Sequence, residues 1–218
     1  NFIGFNFLEG YGMTECSPVI SVNRPDSIGF GSVGPPLANV EIRVESPDSS
    51  GIGEVVIRGD NVTPGYRGNR QMTDDLIKNG WLYTGDLGRI RNGHLWIRGR
   101  RKNVIVSAAG KNIYPEELEE KLLASNYILE ALVFGRRKEN KQGEEIRALI
   151  VPDMEQIMSE HKLPSGQRGM DEIRNVVGHV VEEVNERTAA FKRISAFDVQ
   201  LEELEKTSTG KIKRFLYK

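Results

Sequence analysis

The stretch "GRRKNVIVSAAGKNIYPEELE", Gly99 to Glu119, is where the pattern of the sequence changes. Within it, "NVIVS" (Asn103–Ser107) has the β-branched composition of a strand. The helix predicted next, "PEELEEKLLA" (Pro115–Ala124), has Pro at its first position and acids in its first turn, where the helix dipole favours them. We therefore place a domain boundary at "GRRK", Gly99–Lys102.

The part before this boundary, residues 1–99, is predicted to be rich in β structure. "GEVVIRG" (Gly53–Gly59) is a short apolar run between glycines, as is typical of a strand. "LGRIRNGHLWIRG" (Leu87–Gly99) sets Asn92 and Gly93 between two alternating runs, which is a strong signal for a hairpin.

The part after the boundary, residues 102–218, alternates strand and helix patterns. "ILEALVFG" and "EEIRALIVP" predict paired strands around a polar connection. A helix is predicted between Asp171 and Thr188, because apolar residues recur there at helical spacing. A short strand is expected around Ala196–Leu201, followed by the polar tail "EKTSTGKIKR".

The composition excludes several classes of protein. Of the 218 residues, 38% are hydrophobic, which is ordinary for a globular protein. The 30 Lys and Arg balance the 31 Asp and Glu, so the protein has no strong overall electrostatic field that would attract nucleic acid or a membrane. The single cysteine, Cys16, allows no internal disulfide, which favours a reducing, cytoplasmic location. The three histidines are far apart and lack cysteine partners, so we expect no zinc site. No apolar run reaches membrane-spanning length, and we predict no transmembrane segment.

Four segments carry candidate chemistry, in this order: "GYGMTE" (Gly10–Glu15), "GWLYTGDLG" (Gly80–Gly88), the Gly99–Glu119 stretch and "KTSTGKIKR" (Lys206–Arg214). Alone, "GYGMTE" also fits a glycine-rich turn with a solvated Glu. Together the four resemble the C-terminal half of the adenylate-forming (AMP-binding) superfamily, which includes acyl-CoA synthetases, luciferases and peptide-synthetase adenylation domains. The resemblance covers nearly the whole chain, and the form "GKNIYPEELE" looks most like long-chain fatty acyl-CoA synthetases.

The resemblance implies an α+β fold in two parts. Residues 1–99 are expected to be the β-barrel-like end of a large AMP-binding domain, and residues 102–218 a small, mobile α+β domain. Such enzymes join a carboxylate to AMP, release pyrophosphate, and pass the acyl group to a thiol. The implied substrates and cofactors are ATP, Mg²⁺, CoA and a long-chain fatty acid. We expect no nucleic-acid partner, and any peripheral membrane contact would come from a part upstream of this chain.

Two alternatives stay open. One is adenylation of another carboxylate, an aryl or amino acid, or transfer to a carrier-protein thiol. The other is a non-catalytic module that binds only nucleotide or a partner protein. The presence of Thr14, Glu15, Asp86, Arg100 and Lys211 argues against the second alternative, because a decayed site would have lost some of them.

In "GYGMTE" the resemblance implies a nucleotide site. Gly10 lets the backbone approach the nucleotide, and Tyr11 lies against adenine. Thr14 offers its hydroxyl to phosphate, and Glu15 helps hold Mg²⁺, a hard cation that prefers oxygen ligands. Thr14 and Glu15 are thus counted among the catalytic residues.

Other positions have implied roles at the substrate. Gly12 and Met13 lie near the carboxylate end of the acyl pocket. Asp86, in "TGD", accepts hydrogen bonds from both ribose hydroxyls, and Arg100 reaches the ribose or phosphate. Arg101 is expected to be solvated.

The resemblance assigns the remaining roles after the boundary. Lys102 is the hinge between two catalytic poses, and the small backbones of Ala109 and Gly110 admit the pantetheine of CoA. Lys211 is the catalytic lysine, whose ammonium neutralises the substrate carboxylate and the phosphate. The two basic residues that follow it, Lys213 and Arg214, are expected at the surface.

The chain is also expected to be a fragment. It begins without Met, and it has no Ser/Thr/Gly-rich loop followed by Lys upstream of "GYGMTE", the family's main triphosphate cradle. We expect these 218 residues to fold but to form no acyl-adenylate and to bind ATP weakly, because part of the water-excluding wall of the site would be absent.

Overall fold

The computed structural model describes residues 7–137, 143–161 and 163–217. It divides into two compact units, the first ending at Lys102 and the second beginning at Asn103. Each unit combines β-sheet with helix, so the predicted α+β class is confirmed. In the described ranges, no helix combines the length and the apolar character needed to cross a membrane.

The first unit is built mainly from antiparallel strands. Its described elements are β1 (Gly10–Gly12), β2 (Val19–Val22), β3 (Val40–Glu45), β4 (Gly53–Gly59), α1 (Arg70–Leu76), β5 (Ile77–Lys78), β6 (Trp81–Arg91) and β7 (His94–Arg100). The main sheet has the order β3-β4-β6-β5, and β7 also pairs with β6. β1 and β2 form a separate hairpin. The described strands therefore make an open sheet rather than a closed barrel.

The hairpin of β6 and β7 confirms the prediction made from Asn92 and Gly93. Both residues have positive φ, 50° and 76°, as a two-residue type I′ turn requires. The register then pairs Arg91 with His94 and, further from the turn, Asp86 with Arg100. Two residues of the predicted nucleotide site thus become neighbours on adjacent strands.

The second unit packs helices against a three-stranded sheet. Its described elements are β8 (Ile105–Val106), β9 (Asn112–Ile113), α2 (Pro115–Leu123), β10 (Ile128–Arg137), β11 (Glu144–Pro152), α3 (Met154–Glu160), α4 (Gln167–Glu186) and β12 (Ala196–Val199). β10 and β11 pair, as predicted, and their pairing is antiparallel, while β12 runs parallel to β11.

The two longer predicted helices of this unit follow from their sequence. α2 begins at Pro115, with Glu116 and Glu117 in its first turn. α4 buries one apolar stripe: Ile173, Val176, Val177, Val180, Val181 and Val184. Four members of that stripe join a core with Leu118 and Leu122 of α2. Burial of these side chains, at roughly 1.5–3 kcal/mol each, attaches α2 and α4 to the sheet.

Candidate active site

The segment "GYGMTE" folds into strand β1 followed by a 3-10 turn, Thr14–Cys16. The reversal between them is tight, because the amide of Met13 donates to the carbonyl of Pro18 at 2.8 Å. A Cβ at Gly12 would lie 2.0 Å from that same oxygen, so only glycine fits there. Met13 is half-buried and packs against the core of the first unit. Gly10 is less constrained, with 3.1 Å between its hypothetical Cβ and the carbonyl oxygen of Ser21.

Tyr11, Asp86 and Arg100 form one cluster. The Tyr11 hydroxyl donates to Asp86 Oδ2 at 2.5 Å, and Arg100 Nε lies 2.6 Å from Asp86 Oδ1. Thr84 Oγ1 accepts from the backbone amide of Asp86 at 3.0 Å and fixes the strand there. The Asp86 side chain is 9% exposed, whereas that of Arg100 is 44% exposed. The cluster is a nearly buried carboxylate, with the hydroxyl of Tyr11 bound to one oxygen and the guanidinium of Arg100 to the other.

Burial raises the pKa of Tyr11 far above its ordinary value, and the negative charge of Asp86 raises it further. Tyr11 is therefore a hydrogen-bond donor at any physiological pH. Burial also raises the pKa of Cys16 to about 11, with a smaller effect from the charge of Glu15. Cys16 is fully buried, so its thiol is protonated and inaccessible.

Glu15 has its own partner, which the sequence did not indicate. The hydroxyl of Tyr66 donates to Glu15 Oε1 at 2.6 Å, and the amide of Tyr66 donates to Thr73 Oγ1 of α1 at 2.9 Å. The amide of Thr63 donates to the carbonyl of Glu15 at 2.8 Å. The loop before α1 therefore holds Glu15 from two sides. The sequence did not predict this contact, because the two residues are 51 positions apart and Tyr66 looks like an ordinary tyrosine in a turn.

The donor set around Glu15 fits a magnesium ion that arrives with its nucleotide. Across the described residues, no group of three or more His, Cys, Asp or Glu side chains could hold a metal. Glu15 Oε2 has no hydrogen-bond partner among those residues, and the exposed hydroxyl of Thr14 likewise has none. Protein-bound Mg²⁺ usually takes one or two carboxylates together with substrate phosphates. One carboxylate beside one hydroxyl is consistent with that arrangement.

In the second unit, Lys211 ends a tight turn that begins at Thr207. The amide of Thr207 donates to the carbonyl of Lys211 at 2.8 Å, and the amide of Lys211 donates to Thr207 Oγ1 at 3.2 Å. The ammonium of Lys211 contacts no hydrogen-bonding, charged or aromatic partner in the described part of the chain. Ala109 and Gly110 lie at the exposed tip of another turn in the same unit.

Lys102 is exposed and lies in a second 3-10 turn, Arg101–Asn103. Beside it, Arg101 pairs with Glu54 at 2.7 Å, with 71% of its side chain exposed. Of the predicted residues, the structure thus brings together Tyr11, Asp86 and Arg100. Glu15 is close to Tyr11 in sequence, but its side chain binds a different residue, Tyr66.

The expectation for Arg214 is wrong. Its side chain is only 19% exposed and pairs with the carboxylate of Glu119, because the chain after Lys211 returns to pack on α2. Lys213 is 34% exposed and pairs with Glu205 at 3.0 Å.

Comparison with known proteins supports the resemblance. A model of the AMP-binding enzyme family matches residues 2–67, and a model of the AMP-binding enzyme C-terminal domain matches residues 102–217. A long-chain-fatty-acid–CoA ligase from Yersinia pestis is 35% identical over 76% of this chain and 30% of its own length. An indoleacetate–CoA ligase from Aromatoleum aromaticum is 32% identical over 97% of this chain and 39% of its own length.

Solved structures give the same answer. The o-succinylbenzoate coenzyme A synthetase MenE from Bacillus subtilis, in complex with AMP, superposes with a TM-score of 0.78 at 31% identity. The match covers 99% of this chain and 41% of that one. This chain therefore spans well under half the length of these relatives. Because the C-terminal family model alone covers more than half of it, the chain belongs to the family of AMP-binding, adenylate-forming enzymes.

Proposed function

We propose that this chain is part of an acid–thiol ligase, which joins a carboxylic acid to CoA through an acyl-adenylate. The observation that carries the proposal is the cluster of Tyr11, Asp86 and Arg100. A carboxylate oxygen has two lone pairs, and within the described ranges only Tyr11 and Arg100 bind the Asp86 side chain, so each of its oxygens keeps one acceptor position. Two free acceptor positions on one fixed carboxylate match the two adjacent hydroxyls of a ribose.

The other residues then take the roles that the family implies. Gly10 and Tyr11 border the adenine, while Thr14 and Glu15 serve the phosphates and Mg²⁺. Lys211 neutralises charge as the carboxylate attacks the α-phosphate, a transition state that needs cations on the phosphate oxygens. An ammonium without a competing partner in the described chain suits that task.

The remaining assignments concern the acyl group and the thiol. Gly12 and Met13 border the acyl carboxylate, Ala109 and Gly110 admit CoA, and Lys102 is the hinge. The first unit is the end of a large AMP-binding domain and the second is the small domain. The cofactor and co-substrates are Mg²⁺, ATP and CoA, consistent with a MenE structure that contains ATP and a magnesium ion.

For the acid, we propose a long-chain fatty acid, because long-chain ligases recur among the relatives. A second candidate is an aryl acid. It is favoured by the indoleacetate ligase, whose match covers 97% of this chain, and by the succinylbenzoate ligases.

The test uses the full-length protein and a panel of long-chain, aryl and amino acids. Each acid is scored by isotope exchange between pyrophosphate and ATP, then by thioester formation with CoA. Asp86→Asn is expected to raise the KM for ATP about 10- to 100-fold, the range for a hydrogen bond to a charged group. The exposed Asp60→Asn is the matched control and should leave KM unchanged. Absence of exchange with every acid would instead indicate a non-catalytic binding module.

A further inference from the structure

The side chain of Arg214 lies three residues after Lys211 and joins two elements of the second unit. Its Nη2 pairs with Glu119 Oε2 on α2, and its Nη1 donates to the carbonyl of Val133 on β10 at 3.1 Å. Only 19% of the side chain is exposed. A planar guanidinium reaches two acceptors in this way, whereas a lysine ammonium is a point charge on a flexible stem.

Glu119 completes this contact on the same residue of β10. Its Oε1 accepts from the amide of Val133 at 2.7 Å, so Arg214 and Glu119 bind the carbonyl and the amide of one residue. The Glu119 side chain is 11% exposed. Burial raises the pKa of Glu119, and the charge of Arg214 opposes that rise. Removal of Arg214 would leave a buried carboxylate without its countercharge.

The contact extends toward the predicted hinge. Asn103, next to Lys102, donates from Nδ2 to Glu116 Oε1 at 2.8 Å. That same oxygen lies 3.9 Å from Nη2 of Arg214. A continuous series of polar contacts therefore runs from the residue after the predicted hinge, through α2, to the segment that carries Lys211.

The segment before the Lys211 turn is held as well. Glu130 on β10 accepts from the amide of Leu204 at 2.7 Å and pairs with the ammonium of Lys206. Lys206 in turn forms a β-bridge with Ile212, across the base of the turn. Both sides of the base are fixed to the body of the unit, while Thr207–Lys211 at the tip is exposed.

We propose that Arg214 is a positioning residue for adenylate formation: acting through Glu119, it holds the turn that presents Lys211. The proposal rests on the function proposed above only for its catalytic consequence. The Arg214–Glu119 anchor fixes the base of the turn in one place on α2 and β10. Lys211 then has to order only its own side chain when it meets the reacting phosphate, which keeps the cost of positioning low.

The first measurement is amide hydrogen exchange, with Lys213→Gln as the matched control because the ammonium of Lys213, among the residues described, pairs only with the exposed Glu205. In Arg214→Gln, the amides of Gly210, Lys211 and Lys213 should exchange at least about tenfold faster, since local opening sets exchange. A second variant carries both Glu119→Gln and Arg214→Met and so removes both buried charges together. It leaves no unpaired buried charge, so the anchor can still be tested if Arg214→Gln misfolds. If these amides exchanged at the wild-type rate in both variants, the proposed anchor would be wrong.

The second measurement separates the two half-reactions in the full-length protein. Arg214→Gln should lower the kcat of pyrophosphate–ATP exchange at least about tenfold, with thioester formation from supplied acyl-adenylate within about twofold of wild type. Arg214→Lys should recover part of the exchange, and Lys213→Gln should change neither reaction. Equal losses in both half-reactions would show a purely structural role and overturn the proposal. A wild-type protein without exchange activity would overturn the proposed function, while amide exchange would still decide the anchor.

Discussion

Two turns in the second unit, Ser107–Lys111 and Thr207–Lys211, have the same design. Each begins with a hydroxyl residue and ends with Gly-Lys. In each, the first amide donates to the lysine carbonyl (3.0 and 2.8 Å), and the glycine amide donates to the first carbonyl (2.9 Å in both). The lysine amide donates to the first hydroxyl, at 3.1 and 3.2 Å. The two glycines have φ of 70° and 78°.

The surroundings of the two turns differ. The ammonium of Lys111 lies 4.4 Å from the centroid of the Phe191 ring, which holds it by a cation–π contact. Ser107 is buried, and Gly143 packs so closely that a Cβ on it would lie 2.3 Å from the amide of Ala108. The 207–211 turn is exposed throughout, and the ammonium of its lysine has no hydrogen-bonding, charged or aromatic partner among the described residues. An identical backbone turn thus presents one lysine that is already engaged and one that is available to an anion.

The largest expected effect compares the two lysines. Lys211→Ala in the full-length protein should lower pyrophosphate–ATP exchange about 10²- to 10³-fold, as loss of one charge-stabilising group does. Lys111→Ala should lower exchange by less than about threefold, because Phe191 already engages that ammonium. Thioester formation from supplied acyl-adenylate is the control for Lys211→Ala and should change little. Equal losses for the two lysines would remove the distinction between the turns.

A second experiment tests Lys102, the predicted hinge, which precedes both turns in the chain. Lys102→Pro should leave pyrophosphate–ATP exchange measurable and lower thioester formation at least about tenfold, because a fixed φ at a hinge removes one of two conformations. The control is Lys102→Ala at the same exposed position. Proline at another lysine, such as Lys78→Pro, would disrupt strand β5. Intact thioester turnover in Lys102→Pro would mean that Lys102 is not the hinge.

Substitution of the two glycines should have equal effects on stability. In the described part of the chain, no atom beyond the glycine and its two neighbours lies within 4 Å of a Cβ built on Gly110 or Gly210, so alanine meets no steric clash there. Gly110→Ala and Gly210→Ala should therefore each lower the free energy of unfolding by about 1–2 kcal/mol, the cost of a left-handed backbone. Urea unfolding measures the change, and asparagine at either position should cost less. A much larger loss of stability at one position would show that the two turns do not share the same backbone conformation and open surroundings.

The smallest expected effect distinguishes the buried hydroxyl from the exposed one. Ser107→Ala should lower the free energy of unfolding by about 1 kcal/mol, because it removes a hydrogen bond from a buried position. Thr207→Ala should cost less than about 0.5 kcal/mol, since water replaces the lost acceptor. The reverse order in urea unfolding would contradict the difference in burial.

The sequence predicted the features that depend on near neighbours along the chain. Asn92 and Gly93 specified the turn of the β6–β7 hairpin, and Pro115 specified the start of α2, because backbone chemistry acts locally. The strand β12 was expected at about the right place, but its parallel pairing with β11 was not. That pairing depends on burial across the whole sheet, which no local pattern carries.

The candidate site shows the same division. The family resemblance pointed to Asp86 and Arg100, and the hairpin register explains why they meet. Tyr66 and Arg214 were not predicted, because their partners Glu15 and Glu119 are distant in sequence and each looks like an ordinary surface residue alone. Contacts of this kind appear only once the fold has brought distant segments together.

The anchor between Arg214 and Glu119 has a consequence for how the protein is made. The two residues are separated by 95 positions, so the contact closes a long stretch of chain and carries the entropic cost of a long loop. A chain emerging from the ribosome exposes α2 and β10 well before Arg214, since synthesis proceeds from the N-terminus at about 5–20 residues per second. The Lys211 turn therefore becomes fixed only after translation has passed it. A growing chain that ends between residues 211 and 213 carries every predicted site residue, yet lacks the contact that fixes this turn.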